Sequence, residues 1–404
     1  MFLFLVFMPL CLFLLSHYVI IKPLRLNKSL QAVLYVIYFV CFFKNLLIKI
    51  IGGDLLSPNL PGEVVIFFSG ANVWAVVSLV LALVVVIVIK LISLTFKVQL
   101  RVLRTILLIF VLLSSLFISA YSVYNAFLPP IVKNYSFEDR RLNGIDKPYR
   151  IVQLSDMHIC SSVDVDMVKK FVDLTNTQNP DLILITGDLI DGDYEKIKEQ
   201  ISQLKNLKSK DGIFYVYGNH EYYSKIYNWD KVWKDLGFVL LENDNKRIKI
   251  NDNNSIVIAG ISDPQALKTK IKPEEKEKIL ALDNYKMLTD IDTYHGVDLE
   301  KALNGINLDN ELVVMMSHKP AEFEGISKYN VFLTLSGHAH GGMLPILKTI
   351  VSWFNNSYVS GIYKKGTEEQ TRNLIVSNGT YLWSGFFARI NTPGEVVVID
   401  IKGK

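Results

Sequence analysis

The sequence predicts an N-terminal bundle of about four transmembrane helices followed by an α/β domain. Three uncharged stretches, Met1 to Ile21, Val64 to Ile89 and Thr105 to Val132, each reach the roughly 20 residues needed to span a bilayer core. Behind them, short aliphatic runs alternate with amphipathic segments, which is the signature of parallel strands joined by helices. Composition agrees: 50% of the 404 residues are hydrophobic, mean hydropathy is +0.28, and the apolar excess lies at the front. We therefore expect residues 1–134 to form a helical anchor, 135–148 a linker and 149–404 the α/β domain.

Ser29 to Ile51 is the fourth candidate span, with Lys44 and Lys49 snorkelling or lying at the interface. The first span lacks a basic leading region and a small-residue cleavage site, so it reads as a retained helix rather than a signal peptide. Lys22, Arg25 and Lys28 follow span one, and Lys90, Lys97, Arg101 and Arg104 separate spans three and four. Such basic loops stay cytoplasmic. The connection from Gly52 to Glu63 carries acidic residues only. The expected arrangement is a multi-pass protein of the cell membrane with both termini outside and an extracytoplasmic domain on a tether from Lys133 to Lys147. Lys44 and Lys49 near the outer end of span two run against this orientation. Transporters mark their pathway with ionisable residues inside the spans, and here only Lys44, Lys49 and His17 qualify, so anchoring is the expected role. The net charge of +4 is small and no basic, aromatic-interleaved stripe is evident, so no nucleic-acid partner is expected.

The domain begins β-α-β-α-β. Strand Arg150 to Ser155 leads to a helix from Val165 to Gln178, strand Asp181 to Thr186, a helix from Tyr194 to Leu207 and strand Gly212 to Tyr217. A helix at Trp229 to Leu236 follows. Short strands at Phe238 to Leu241, Arg247 to Ile250 and Ser255 to Ala259 read as an antiparallel meander. Leu312 to Met316, Val331 to Ser336, Leu374 to Ser377 and Glu395 to Ile401 would complete a second sheet.

Five of the seven histidines lie in polar motifs directly after apolar runs. The motifs are Asp156-Met-His158, Gly187-Asp188, Gly218-Asn219-His220-Glu221, Ser317-His318 and Gly337-His338-Ala339-His340. Strand ends in an open α/β sheet gather side chains from distant parts of a chain into one crevice. Two divalent ions about 3.5 to 4 Å apart can clamp the attacking and leaving oxygens of a phosphate ester and acidify a bound water. Aspartate suits the bridging position, since its two oxygens can serve two ions. A mixed set of imidazoles and carboxylates favours manganese, iron or zinc over magnesium or calcium.

The ordered series D-x-H, GD, GNHE, H and GHxH resembles the calcineurin-like metallophosphoesterases over Arg150 to Lys404. Glu221-Tyr222-Tyr223, Leu240-Leu241-Glu242-Asn243, Gly341-Gly342 and Ser377-Asn378-Gly379-Thr380 resemble the subgroup in which such a domain follows a membrane segment. The resemblance implies a two-sheet α/β/β/α sandwich. It also implies that Asp156, His158, Asp188 and His340 hold one ion and that Asp188, Asn219, His318 and His338 hold the other. Asp188 is then the bridge, His220 faces the phosphoryl group, and Glu221 orients His220. The implied reaction is in-line attack of a metal-bridged hydroxide. Met343 stands where glutamine often follows the paired glycines, and Gln265 to Gly296 is a longer connection than the resemblance suggests; both bear on the substrate crevice.

The remaining residues read more blandly. Cys160 reads as a small buried hydrophobe rather than a ligand, and Cys11, Cys41 and Cys160 offer no disulfide framework. His17 and His295 lack partners at ligand spacing. A helix from Pro273 to Leu288 reads as a solvated face, with a substrate lid as the other reading. Four spans are a heavy anchor for an enzyme with a freely diffusing target, so a lipid-borne phosphate ester is the favoured substrate. Trp353, Phe354, Trp383, Phe386 and Phe387 are candidates for the membrane interface or for core packing. A phosphodiester is favoured over a monoester or pyrophosphate, and a non-catalytic metal-dependent binding or receptor scaffold is the reading from another class.

Overall fold

The computed structural model describes residues 3–281, 288, 293–367, 370–383 and 385–404. Two compact units are distinguished: Met1–Phe127 together with residues 385–390, and Leu128–Trp383 with Asn391–Lys404.

In the first unit, Leu5–Leu24, Gly62–Phe96 and Arg101–Ala126 are helices long and apolar enough to cross a membrane. Lys28–Phe42 and Lys44–Gly52 meet at a 69° bend and count as a fourth span if taken together. Ile20, Tyr38, Ala75 and Leu108 are buried in their shared apolar cluster. Two hydrogen bonds join neighbouring helices of the bundle: Tyr38 and Ser78 share one of 2.8 Å, and Ser119 Oγ donates to the Gly70 carbonyl at 2.6 Å. Residues 385–390 pack within this unit, where the Phe387 amide donates to Ser69 Oγ at 2.7 Å and the Arg389 amide to the Ser122 carbonyl at 2.9 Å.

The second unit is built on twelve strands among the described residues, numbered in chain order: β1 (Ile131–Glu138), β2 (Tyr149–Leu154), β3 (Leu182–Thr186), β4 (Ile213–Val216), β5 (Phe238–Leu240), β6 (Asp244–Lys249), β7 (Ser255–Gly260), β8 (Leu312–Met316), β9 (Leu333–Ser336), β10 (Gly361–Gly366), β11 (Thr371–Val376) and β12 (Glu395–Lys402). They form two six-stranded mixed sheets, ordered β1-β12-β2-β3-β4-β5 and β10-β11-β9-β8-β7-β6. The main core lies between the sheets, because alternate residues of each strand face one side. Leu182 and Leu184 of β3 meet Ile256 and Ile258 of β7 and Val314 and Met316 of β8 in one cluster. On the other face of the second sheet, Val257, Val313 and Met315 pack against Phe323 and Ile326 of a short helix. Val168, Phe171 and Val172 are the buried stripe of the Val165–Thr177 helix.

Four sequence expectations change. Part of the expected linker is strand: β1 runs parallel to β12 from Ile131↔Glu395 to Glu138↔Lys402, and only residues 127–130 separate it from the last candidate span. It is an edge strand with a wet face, so Lys133, Asn134 and Ser136 give it the composition of a loop. Glu395 to Ile401, expected in the second sheet, belongs to the first, where β12 lies antiparallel to β2. The expected meander is split: β5 joins β4 in parallel while only β6 and β7 pair antiparallel. The helix expected from Pro273 to Leu288 is described as Pro273–Ala281, and residues 282–287 lie outside the described set. In addition, β10 and a helix at Pro345–Phe354 arise where none was expected.

Because β12 is buried between β1 and β2, Ile399→Ala should leave a cavity between the sheets, where Ile399 is fully buried. A loss of about 2 to 5 kcal/mol in unfolding free energy is expected, read by denaturant titration followed at the aromatic side chains of this unit.

Candidate active site

The five motifs follow the carboxyl ends of β2, β3, β4, β8 and β9. Neighbouring strands in each of these runs are parallel, so their ends converge on one edge of the sandwich. The chain turns sharply there. Asp156, His158, Asp188, His338 and His340 all have left-handed backbones, with φ of 51°, 44°, 52°, 66° and 46°. Such a conformation costs a non-glycine residue on the order of 1 kcal/mol or more and persists where surrounding contacts over-determine it. Two glycines allow the backbone to reach the carboxylates: a Cβ on Gly218 would overlap Asp188 Oδ1, and one on Gly337 would overlap the Asp156 carboxylate and Ser155 Oγ.

Three groups of ligand-type atoms result among the described residues, Asp156 with His158 and His340, Asp188 with His318 and His338, and His158 with Asp191 and His220, the atoms of each within 4.8 Å of one another; the first two carry the expected ligands. Asp188 stands between them: its Oδ2 lies 3.1 Å from His318 Nε2 and 3.8 Å from His158 Nε2. His158 Nε2 faces His340 Nε2 at 3.1 Å, and His338 Nδ1 faces His318 Nε2 at 3.2 Å. Ring nitrogens facing one another at hydrogen-bond distance, inside an aspartate-bearing cluster, fit shared cations. Asn219 Oδ1, buried with no hydrogen-bond partner among the described residues, fits the same purpose. Two of the opposite ring nitrogens are held by acceptors: His158 Nδ1 lies 3.2 Å from Asp191 Oδ2, and His318 Nδ1 donates to the Thr186 carbonyl at 2.8 Å, which fixes the tautomer that leaves Nε2 as a ligand.

Electrostatics follow this packing. Burial works against ionisation of Asp188, but the charges of His318 and His220 win and hold its carboxyl well below the usual range. Against burial, Asp188 first and then Asp156 and Asp263 push His318 up to about 10, so a cation bound at its Nε2 has to displace a proton. His338 is kept well below the ordinary histidine range, first by burial and then by His318, and so offers a neutral imidazole.

Residues 149–342 match the family model for calcineurin-like phosphoesterases. They belong to that family, and with it to the metal-dependent phosphoester hydrolases. The family uses a dinuclear divalent metal centre, which the donor set above fits. The chain is 28% identical over 398 residues to an uncharacterized metallophosphoesterase of Campylobacter jejuni, covering 95% of this chain and 93% of that one. It is 30% identical over 293 residues to a transmembrane protein with metallophosphoesterase domain of Bos taurus, covering 70% of this chain and 60% of the relative. An uncharacterized metallophosphoesterase of Helicobacter pylori is 30% identical over 264 residues, covering 65% and 62%. The chain thus spans less than two thirds of the bovine and Helicobacter relatives.

Within this phosphoesterase domain the structure brings all seven expected ligand residues to one edge, and with them a residue the sequence reading missed. Asp191 accepts from His220 Nδ1 at 2.5 Å through one oxygen and from His158 Nδ1 at 3.2 Å through the other. The available signal was its place three residues after Asp188, on the same loop. Against burial, the two histidines hold Asp191 down to about 2, and Asp191 with Asp188 raises His220 to about 9. Glu221, expected to orient His220, does not reach it. Its carboxylate instead accepts the amides of Asp188 at 3.0 Å, Leu189 at 2.5 Å and Gly218 at 2.7 Å, tying the β3 and β4 loops together. The reason is geometric: successive residues of the Asn219–Tyr223 turn project about 100° apart. Cys160 is fully buried and its thiol is raised to about 12, first by burial and then by Asp191, so it stays protonated and outside all three groups. Tyr223, half exposed, and Trp383 flank His220 with ring centroids 5.4 and 6.1 Å away.

Asp191→Asn should therefore lower kcat by about 10- to 100-fold, the usual worth of a group that orients a ligand or acid, while bound metal stays near the wild-type level by elemental analysis. An unchanged kcat would remove Asp191 from the positioning role.

Proposed function

We propose that the protein is a membrane-anchored, dinuclear-metal phosphoesterase that hydrolyses a phosphate ester, with a lipid-borne phosphodiester or lipid-linked phosphate as the favoured substrate. The observation that carries it is the pair of histidine-aspartate groups on either side of Asp188, with His220 next to them on Asp191. In this reading Asp156, His158, Asp188 and His340 hold one ion, and Asp188, Asn219, His318 and His338 hold the other. Two such ions, with manganese, iron or zinc suited to the mixed donor set, would supply Lewis acidity and an acidified water.

The chain's own residues do the rest. Asp191 fixes the His220 ring through Nδ1, which leaves Nε2 to carry the proton for the leaving oxygen. In its protonated form His220 would also stabilise the extra negative charge of the transition state. Glu221 keeps the β3 and β4 loops in register, and so fixes the distance between Asp188 and Asn219. The three helices long enough to span, plus the bent pair, support the membrane reading. The basic loops at Lys22 to Lys28 and Lys90 to Arg104 favour an extracytoplasmic domain in the cell membrane.

The reaction is tested by pairing two variants in an assay of bis(p-nitrophenyl) phosphate and a poorer alkyl-leaving analogue with added manganese. Asp188→Asn should abolish turnover and lower bound metal from two equivalents. His220→Ala should keep both ions yet lose about 10² to 10⁴ in rate on the alkyl substrate, and less on the nitrophenyl one. Loss of an ion in the alanine variant would move His220 into the coordination shell.

Orientation has its own test. In a background with the native cysteines replaced by serine, a membrane-impermeant thiol reagent on intact cells should label Ser136→Cys and miss Gln99→Cys; Ser136 is exposed on β1 and Gln99 lies in a basic loop. The reverse labelling would put the domain in the cytoplasm.

A further inference from the structure

The helix Pro345–Phe354, sequence PILKTIVSWF, has no fully buried residue although seven of its ten residues are apolar. At about 100° per residue, its apolar arc covers roughly half the circumference. One half of that arc is used: Val351 packs against the outer core of the second sheet. The other half is bare. Ile346, Ile350, Trp353 and Phe354 are 51%, 45%, 74% and 80% exposed. They fall within an arc of about 100° and form one contiguous stripe rather than scattered side chains. A patch of this kind marks an interaction surface.

Its occupant is suggested by charge and by the rest of the chain. From Gly337 to Gly366 there is no aspartate or glutamate, while Lys348, Lys364 and Lys365 are present; Lys365 is paired with Glu324, and exposed Lys348 and Lys364 leave the stretch suited to an anionic surface. The aliphatic residues lie toward the start of the helix, and Trp353 and Phe354 end it, as in helices that lie in the headgroup layer. The same chain carries candidate membrane spans, and the last of them ends at Ala126, before β1 begins at Ile131. The four residues between reach at most about 18 Å even when extended. A bilayer is thus always close to this domain.

We propose that the Pro345–Phe354 helix is an interfacial membrane-seating element, which inserts Ile346, Ile350, Trp353 and Phe354 into an anionic lipid surface, with Lys348 on the opposite face of the helix. The helix starts five residues after His340, so it sits beside the metal-ligand turn in sequence, and lipid seated there would be presented to the crevice. The seating rests on the reading of the N-terminal helices as spans; its use in catalysis rests on the phosphoesterase reading.

The test uses the full-length protein in vesicles of phosphatidylglycerol and phosphatidylcholine carrying brominated acyl chains, which quench tryptophan only at membrane depth. The difference between wild type and Trp353→Phe isolates Trp353. That component should be quenched by bromine and shielded from aqueous iodide, less so in pure phosphatidylcholine. Ile350→Asp with Phe354→Asp should reverse both properties, while hydrolysis of bis(p-nitrophenyl) phosphate stays within about twofold of wild type, which reports an intact fold. A Trp353 component open to iodide and blind to bromine in the wild type would overturn the proposal, and would leave the face to a protein partner. Absence of diester hydrolysis by the wild type would instead count against the phosphoesterase reading alone, because the quenching does not depend on turnover.

Discussion

The arrangement depends on one buried carboxylate. Asp188 is withdrawn from water and surrounded by imidazoles from four different loops, with His318 and His158 at its Oδ2 and the His220 amide donating to its Oδ1 at 2.8 Å. An isolated charge in such a place would be neutralised or expelled. Here positive partners on several sides keep it ionised, and each partner is in turn held by a hydrogen bond farther out. Remove the carboxylate and the imidazoles lose the charge that collects them.

Holding five side chains around that point requires backbone that ordinary strand-to-helix turns do not provide. The left-handed residues after β2, β3 and β9, with Gly218 and Gly337 at the closest approaches, turn each chain within one or two residues of its strand. Glu221 closes the arrangement by accepting amides from two loops at once. Strain at the loops is balanced by the packed double sheet beneath, whose core residues from Ile151 to Ile401 are almost all inaccessible.

The membrane helices obey a different constraint. Inside hydrocarbon every polar group needs a partner, and the hydroxyls of Tyr38, Ser78 and Ser119 find theirs within the bundle. The domain, by contrast, exposes an apolar stripe on Pro345–Phe354 that none of the described residues of its own unit covers. In a protein with candidate spans of its own, an uncovered apolar helix face has a ready solvent.

By itself, the sequence determined what local chemistry writes: the uncharged spans, the buried parallel strands β2, β3, β4, β8 and β9, and the seven ligand-type residues that follow them. These are legible because period, length and residue type are local properties. Tertiary structure alone decided the pairings. The edge strand β1 hides behind a polar composition, and β12 looks like any apolar strand until β1 and β2 take its two edges. It also decided which carboxylate serves His220. Glu221 is adjacent in sequence and turns away to bind backbone amides, whereas Asp191, 29 positions earlier, arrives through space. Sequence order records which residues are bonded to one another; hydrogen bonds form wherever the folded sheets bring donor and acceptor together.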